Sequence, residues 1–443
     1  MTQAVILAGG KGTRLASRLN GRPKPLVDVG GVPLLQRQLA ALASQGVDDV
    51  VLLVNHAADQ IANFIAELDL PIRLNLVDDG DPRGTAGATL ACLEQLQERF
   101  LVVYGDTLFD LDIGHILAEH ANSGADATLL LHPNDHPADS DLVELDGDGW
   151  ISGFHPYPHP DGAWLRNLVN AAFYVVERRA LLPWAGRMAA GDFAKDLFPA
   201  MLADGARLRG HVSFEYIKDI GTPSRLDKAQ GHLASGLVAR ARRKSRQRAV
   251  FLDRDGTLNE LRGHIAQAED LVLLPGAGEA VKRLNDAEFR VVLVTNQPVL
   301  ARGEATQADL ARIHARLESE LGAAGAYLDD IRYCPHHPHA GYAGEVPELK
   351  RQCDCRKPAP GMVLAAAAAM NIDLAQSWMV GDSSADIALA ARLGLRSILV
   401  ETGEAGRDGK HEAASDHVVP SIREAAALIV AASPVLALAE PKP

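Results

Sequence analysis

Two short apolar runs limit what this chain can fold into. Ala4–Ala8 runs directly into GGKGTRL, and Val250–Leu252 runs into DRDGTLNE. Each reads as a buried strand that stops at a turn dense in glycine and charge, where open α/β sheets present their ligand-binding groups. Other β-rich runs (Val50–Val54, Leu101–Tyr104, Ala171–Val176, Val291–Thr295, Trp378–Gly381) alternate with longer amphipathic stretches. That rhythm predicts mostly parallel sheets with helices on both faces. A chain of 443 residues has room for two or three such cores.

One composition change separates the two runs. Arg240–Arg248 (RARRKSRQR) holds six basic residues in nine positions and nothing apolar larger than alanine. No aromatic residue interrupts it, and the chain as a whole carries 44 Lys+Arg against 57 Asp+Glu, a net charge of −13. The run therefore reads as a solvated linker, and neither nucleic acid nor an anionic membrane is an expected partner. The expected division is a first domain over 1–238, a basic linker over 239–248 and a second domain over 249–443. The start, MTQAVILAGG, lacks the basic segment of a signal peptide. The apolar stretch Ala425–Ala439 is broken by Ser433 and Pro434 and falls short of the ~20 residues of a membrane helix. A cytoplasmic setting is the expectation, and an oligomer is compatible with this composition.

In the first half, Gly9, Gly10 and Gly12 leave backbone N–H groups free to turn toward phosphate oxygens. Lys11, Arg14 and Lys24 bring positive charge to the same place. The spacing is neither G-x-G-x-x-G nor Walker A, which argues against a dehydrogenase or an ATPase. Downstream stand GTAGA (Gly84–Ala88), VVYGDTLFD (Val102–Asp110) and KDIGTP (Lys218–Pro223). Asp106 and Asp219 are carboxylates that could share a Mg²⁺ bridging a nucleotide phosphate and a sugar phosphate. Alone, either would read as a turn-forming aspartate.

Together these segments resemble the sugar-1-phosphate nucleotidyltransferases over roughly residues 1–230, through LAGGKGTRL, Lys24, GTAGA, Gly105-Asp106 and Asp219-Ile220-Gly221. The resemblance implies a Rossmann-like domain in which Gly9, Gly10, Gly12, Thr13, Gly84 and Thr85 hold the nucleotide. Arg14 and Lys24 would stabilise charge on the transferring group, and Asp106 and Asp219 would hold Mg²⁺. It is closest to guanylyltransferases acting on manno-configured sugars, so GTP is the expected nucleotide. The chain departs from the family at Phe154–Pro158 (FHPYP), where Glu-Lys is common, and at Ala194, where Glu is common. Lys195 is then the candidate for the sugar phosphate and Asn170 for a sugar hydroxyl.

In the second half, strand alternation would aim Asp253 and Asp255 the same way across Arg254. One carboxylate can attack phosphorus while the other protonates the leaving oxygen and then activates water. VTNQ (Val294–Gln297), CRKP (Cys355–Pro358) and GDSSAD (Gly381–Asp386) follow in order. Thr295, Asn296, Arg356 and Lys357 are candidates for binding the transferring phosphoryl group. Asp382 and Asp386 would complete a Mg²⁺ site with Asp253 and the main-chain carbonyl of Asp255. This set resembles the haloacid dehalogenase-like (HAD-like) phosphatases over roughly 249–432.

Of the four cysteines, Cys334, Cys353 and Cys355 fall within 22 positions, and Cys92 stands apart. The pattern C-x-H-x16-C-x-C suits a tetrahedral zinc site better than a redox pair, with His336, His337 and His339 competing for the nitrogen ligand. DRDGTLN, VTNQ, ARG (Ala301–Gly303), CPHHP, CDCRKP and PGM (Pro360–Met362) together resemble the D-glycero-D-manno-heptose 1,7-bisphosphate phosphatases and the related histidinol-phosphate phosphatases. That resemblance selects His336 and implies a structural zinc that holds Arg356 and Lys357 at the phosphate. Pro298-Val299 and Ser383 depart from it, where Ser-Gly and a basic residue are common.

The two halves restrict each other. Removing the 7-phosphate of a heptose 1,7-bisphosphate leaves a sugar 1-phosphate, which a nucleotidyltransferase consumes. The expected whole is a bifunctional enzyme making a nucleotide-activated heptose. The alternatives are a histidinol-phosphate phosphatase fused to an unrelated transferase, or a sugar-nucleotide sensor without turnover. Retention of Arg14, Lys24, Asp106 and Asp219 argues against the sensor.

Overall fold

The computed structural model describes every residue except Met1, Asp79, Asp81 and 434–443. The chain forms two units. The first comprises Met1–His132, Asp141–Tyr157 and Leu168–Arg243; the second comprises Pro133–Ser140, Pro158–Asn167 and Lys244 onward.

In the first unit the strand Thr2–Leu7 lies between two parallel partners, Val47–Val54 and Arg99–Tyr104. Ala4, Val5 and Ile6 are fully buried, as a strand covered on both faces requires. Arg73–Asp78 extends the sheet on one side. On the other, Val169–Glu177 pairs antiparallel with Arg99–Tyr104. The helix Leu34–Ser44 buries Leu34, Leu35, Leu39 and Leu42, the i, i+1, i+5, i+8 face of an amphipathic helix. Cys92, the cysteine outside the cluster, is buried just after the helix Gly84–Ala91.

The second unit is a six-stranded, all-parallel sheet in the order Asp330–Cys334, Arg290–Asn296, Ala249–Leu252, Trp378–Gly381, Arg396–Val400, His417–Val419. Both units are thus α/β and doubly wound, as the motifs implied. In each, the strand that opens the unit sits where the strand order reverses, so a crevice forms beyond its C-terminal end. The glycine loop and the DRDGT turn occupy those crevices.

The basic run is tied down at both ends. Arg242 pairs with Asp110 at 2.7 Å in the first unit. In the second, Gln247 bridges to Ile372, and Arg248 donates to the carbonyls of Ala287 and Ser433. Ala425, Ala426 and Ile429, within the apolar run near the C-terminus, pack into the second core on the helix Ile422–Ala432; residues 434–439 of that run lie outside the described residues. No helix among the described residues is long and apolar enough to cross a membrane.

Candidate functional sites

The first site is a cavity of about 520 Å³ beyond the strand Thr2–Leu7. Gly9, Gly10, Lys11, Lys24, Gly84, Thr85, Tyr104 and Asp106 line it. Gly84 has φ +70°, and a Cβ there would stand 2.4 Å from the Gly191 carbonyl, so the glycine is required by both conformation and space. Lys24 Nζ contacts Asp106 Oδ2 at 2.5 Å. Asp219 lies beside them: it is in register with Thr107, and Ile220 N donates to the Asp106 carbonyl. Its Oδ2 pairs with Arg225 at 2.8 Å. A Cβ on Gly221 would meet Asp219 Oδ2 at 3.0 Å, Arg14 Nη2 at 3.4 Å and Lys24 Nζ at 3.7 Å, which places these three side chains around one point. Asp106 and Asp219 offer the carboxylate oxygens that Mg²⁺ takes, and each is paired with a cation, Lys24 or Arg225, that an ion there would have to displace.

Gly12, Thr13 and Arg14 stand outside the cavity lining, on the turn into the short helix Thr13–Leu15. Asn170 and Lys195 also lie outside the lining. Asn170 is at the start of Val169–Glu177, with Nδ2 buried and without a hydrogen-bond partner. Lys195 is exposed, on a π-turn over Phe193–Leu197.

Two residues that sequence reasoning passed over organise this site. Asp192 caps the π-turn through Oδ1, accepting from Ala194 N and Lys195 N, while its Oδ2 accepts from Thr85 Oγ1 at 2.7 Å and Tyr104 OH at 3.4 Å. Gln38, buried on the apolar face of Leu34–Ser44, donates to the carbonyls of Tyr104 and Thr107 and so fixes the turn that carries Asp106. A lone amide on an apolar helix face was the available signal for Gln38. Asp192 offered only the signal of a capping aspartate, because the partners of its Oδ2 are 107 and 88 residues away.

The second site is a cavity of about 800 Å³ lined by Asp253, Asp255, Thr295, Asn296, Arg356, Lys357 and Asp382 among others. The strand ends at Leu252, so both motif aspartates sit in the following turn, and strand alternation does not set their directions. Asp253, Asp382 and Asp386 bring carboxylate oxygens within 4.8 Å of one another, all buried. Lys357 Nζ stands 2.7 Å from both Asp253 Oδ1 and Asp386 Oδ1. Burial pushes Asp253 up to about 6, with Lys357 opposing and Asp386 adding. Burial and the Asp253 charge push Asp382 up to about 8. Buried carboxylates crowded beyond what one lysine neutralises make a donor set that fits Mg²⁺.

Asp255 is held differently. Although burial works against its charge, Arg254, Asn259 and Gln297 keep its carboxyl below the ordinary range. Asn296 brackets Lys357 through its main chain, accepting from Lys357 N at 2.9 Å and donating to Lys357 O at 3.2 Å. Pro298, Val299 and Ser383, the departures, all line the cavity, with Val299 buried. Ser383 caps the helix Ser384–Leu393 in a reciprocal box with Asp386.

Cys334, His336, Cys353 and Cys355 form one cluster, with donor atoms within 4.8 Å. The sulfurs are 3.2–3.5 Å apart, and His336 Nδ1 is 3.2 Å from Cys355 Sγ. Burial pushes the Cys334 thiol up, and burial together with Arg351 holds His336 toward the neutral form. Burial likewise raises the Cys355 thiol, whereas hydrogen bonds with Cys355 and Cys334 outweigh burial and lower Cys353; three clustered sulfurs beside a neutral imidazole make a donor set that fits zinc. Arg356 Nη1 donates to the His336 carbonyl at 3.0 Å, which ties the cluster to the cavity wall.

A third donor group, His115, Glu119 and His211, lies in the first unit. Glu119 already accepts from His211 Nδ1 at 2.5 Å and from Arg209 Nε at 3.4 Å. Its charge is balanced without a metal.

Comparison with known proteins decides the families. A family model described as nucleotidyl transferase matches residues 3–236, more than half of the chain. A second, HAD-hydrolase-like, matches residues 354–425. D-glycero-beta-D-manno-heptose-1,7-bisphosphate 7-phosphatase of Yersinia pestis is 40% identical over 178 residues, 40% of this chain and 92% of that protein. The chain belongs to the nucleotidyl transferases in its first half and to these HAD-like phosphatases in its second. The enzyme of the same name from Escherichia coli K12 is 41% identical over 158 residues, 35% of this chain and 80% of its own length. The crystal structure of HddC from Yersinia pseudotuberculosis aligns over all of its own chain and 53% of this one, at 26% identity and a TM-score of 0.46. The protein is a bifunctional enzyme, phosphatase and nucleotidyltransferase.

Proposed function

We propose that the second unit removes the 7-phosphate of D-glycero-D-manno-heptose 1,7-bisphosphate and that the first unit transfers GMP from GTP to the resulting heptose 1-phosphate. The reading is carried by the identity of the second half to heptose-bisphosphate phosphatases across 92% of one relative's length, in a chain whose other half is a nucleotidyl transferase. A cytoplasmic location goes with it, since the cysteine cluster needs reduced thiols.

In the phosphatase, an Asp253 oxygen attacks the 7-phosphorus, the bond from phosphorus to the C7 oxygen breaks, and Asp255 gives that oxygen a proton. Water then attacks the phospho-aspartate, gives a proton to Asp255, and inorganic phosphate leaves with Asp253 restored. Thr295, Asn296 and Lys357 hold the phosphoryl oxygens. Asp253, Asp382, Asp386 and the Asp255 carbonyl would hold Mg²⁺, which would supply positive charge against the phosphoryl group. Cys334, His336, Cys353 and Cys355 would hold a structural zinc, which would fix Arg356 and Lys357 in place.

In the transferase, a phosphate oxygen of the sugar attacks the α-phosphorus of GTP, and the bond to the pyrophosphate oxygen breaks. No covalent enzyme intermediate forms; catalysis is positioning and charge stabilisation by Arg14 and Lys24. Asp106 and Asp219 would hold Mg²⁺, which neutralises triphosphate charge. Lys195 takes the sugar phosphate and Asn170 a sugar hydroxyl.

The test is one mixture of enzyme, heptose 1,7-bisphosphate, Mg²⁺ and each nucleoside triphosphate in turn. Phosphate should appear first and pyrophosphate after it, fastest with GTP. Equal pyrophosphate release from all four nucleotides would overturn the guanine assignment. Faster hydrolysis of histidinol phosphate than of the bisphosphate would overturn the sugar.

A further inference from the structure

Arg254 stands between the two motif aspartates and has no role in the chemistry above. It is completely buried. A buried guanidinium is costly unless partners compensate it, and here its fork is aimed at one carboxylate. Nε lies 3.2 Å and Nη2 3.0 Å from Asp255 Oδ1, and Nη2 lies 2.9 Å from Oδ2. Nη2 also donates to Gln297 Oε1 at 3.0 Å, while Nη1 is buried with no hydrogen-bond partner. Gln297 is buried too, and its Nε2 donates both to Asp255 Oδ2 and to Thr295 Oγ1, each at 2.8 Å. Asn259 Nδ2 reaches Oδ1 at 3.1 Å.

The donors therefore match the acceptor. Arg254 Nε–H, one Nη2–H, Gln297 and Asn259 fill the roughly four lone-pair positions of a carboxylate. Asp255 is fixed in orientation, and a proton can pass at it only when one donor gives way. Gln297 is the donor with an alternative, because its amide already touches Thr295. A hydroxyl that donates to a phosphoryl oxygen becomes a stronger acceptor at its own oxygen. A phosphoryl group at Thr295 thus draws Gln297 toward Thr295 and away from Asp255.

We propose that Arg254 and Gln297 are the positioning residues of the phosphatase: Arg254 orients the Asp255 carboxyl, and Gln297 frees one of its oxygens when a phosphoryl group is seated at Thr295. The proposal rests on the reading of Asp253 as nucleophile and Asp255 as acid and base. The freed oxygen takes up a proton from solvent, gives it to the C7 oxygen as the ester bond breaks, and regains one from water as the phospho-aspartate is hydrolysed.

Two esters test it on the full chain with Mg²⁺. The heptose bisphosphate has an alkoxide leaving group that needs a proton; p-nitrophenyl phosphate has a phenolate that does not. Comparing kcat/KM restricts the readout to transfer onto Asp253. Arg254→Lys keeps the charge and loses the planar fork. It should lower kcat/KM for the sugar ester at least about tenfold, within the 10²–10⁴ that general acids contribute, and for p-nitrophenyl phosphate less than about threefold. Gln297→Met should show the same inequality with smaller values. It decides the matter if Arg254→Lys does not melt cooperatively. Equal losses on both esters, or none on either, overturn the proposal. Turnover retained by Asp253→Asn would instead overturn the underlying reading of the nucleophile.

Discussion

The two candidate sites gather their aspartates in opposite ways. In the phosphatase unit Asp253, Asp382 and Asp386 are buried, crowd one another and share a single lysine. In the transferase unit Asp106 and Asp219 are partly exposed, and each has its own cation, Lys24 and Arg225. The first arrangement stores repulsion that a metal relieves; the second is close to neutral before any ligand arrives. A preformed, crowded site suits an attack made by the protein's own carboxylate. An open, balanced site suits a reaction between two bound substrates.

The comparison breaks most sharply at the aspartates. Asp253→Asn should lower phosphate release by at least about 10³-fold while pyrophosphate release from supplied heptose 1-phosphate persists, and Asp106→Asn should do the reverse. Coupled assays for the two products check this, and a variant that spared both activities would remove its residue from the chemistry. Next in size is the cysteine cluster. Cys355→Ser should lose the bound zinc, seen by metal analysis, and most phosphatase activity, with pyrophosphate release within about twofold of the parent.

A smaller effect comes from pH. Asp253 and Asp382 have folded values of about 6 and about 8, above the ordinary 3.8, so folding favours their neutral forms. Their contribution to stability is full below the unfolded value and is lost as pH rises through the folded ones. Without Mg²⁺ the phosphatase unit should melt lower at about pH 8.5 than at about pH 5, by about 2–4 °C per kcal/mol. Mg²⁺ should raise its melting temperature more at the higher pH; calorimetry with and without the ion would expose an equal shift at both. The smallest effect is at the exposed Lys195. Lys195→Ala should raise KM for the sugar 1-phosphate about three- to tenfold, the size of a solvent-accessible charged contact, with kcat little changed.

The parts of this molecule legible in sequence are those whose partners are close in the chain. Cys334 and His336, and Cys353 and Cys355, are neighbours, so spacing announced the cluster, while the choice of His336 over His337 and His339 came from the resemblance. The strand-to-turn motifs announced both crevices for the same reason. Strand alternation led to the observed outcome for Asp253 and Asp255, which line one cavity, although the strand stops at Leu252 and hydrogen bonds, not pleating, hold them there. Asp192, Gln38 and Gln297 escaped notice because each acts on residues tens of positions away. Their side chains are ordinary until the fold supplies the partner.

The cysteine cluster has a consequence for how such an enzyme can change. It pins both ends of the segment from His337 to Gln352, and residues of that segment (His337, Pro338, His339 and Gln352) face the cavity. Arg356 and Lys357 lie just outside the pinned ends. The segment can therefore be rewritten in sequence or length with its anchor points held, so the cavity wall can change while Arg356 and Lys357 stay where they are. The staple separates what the enzyme recognises from what it does.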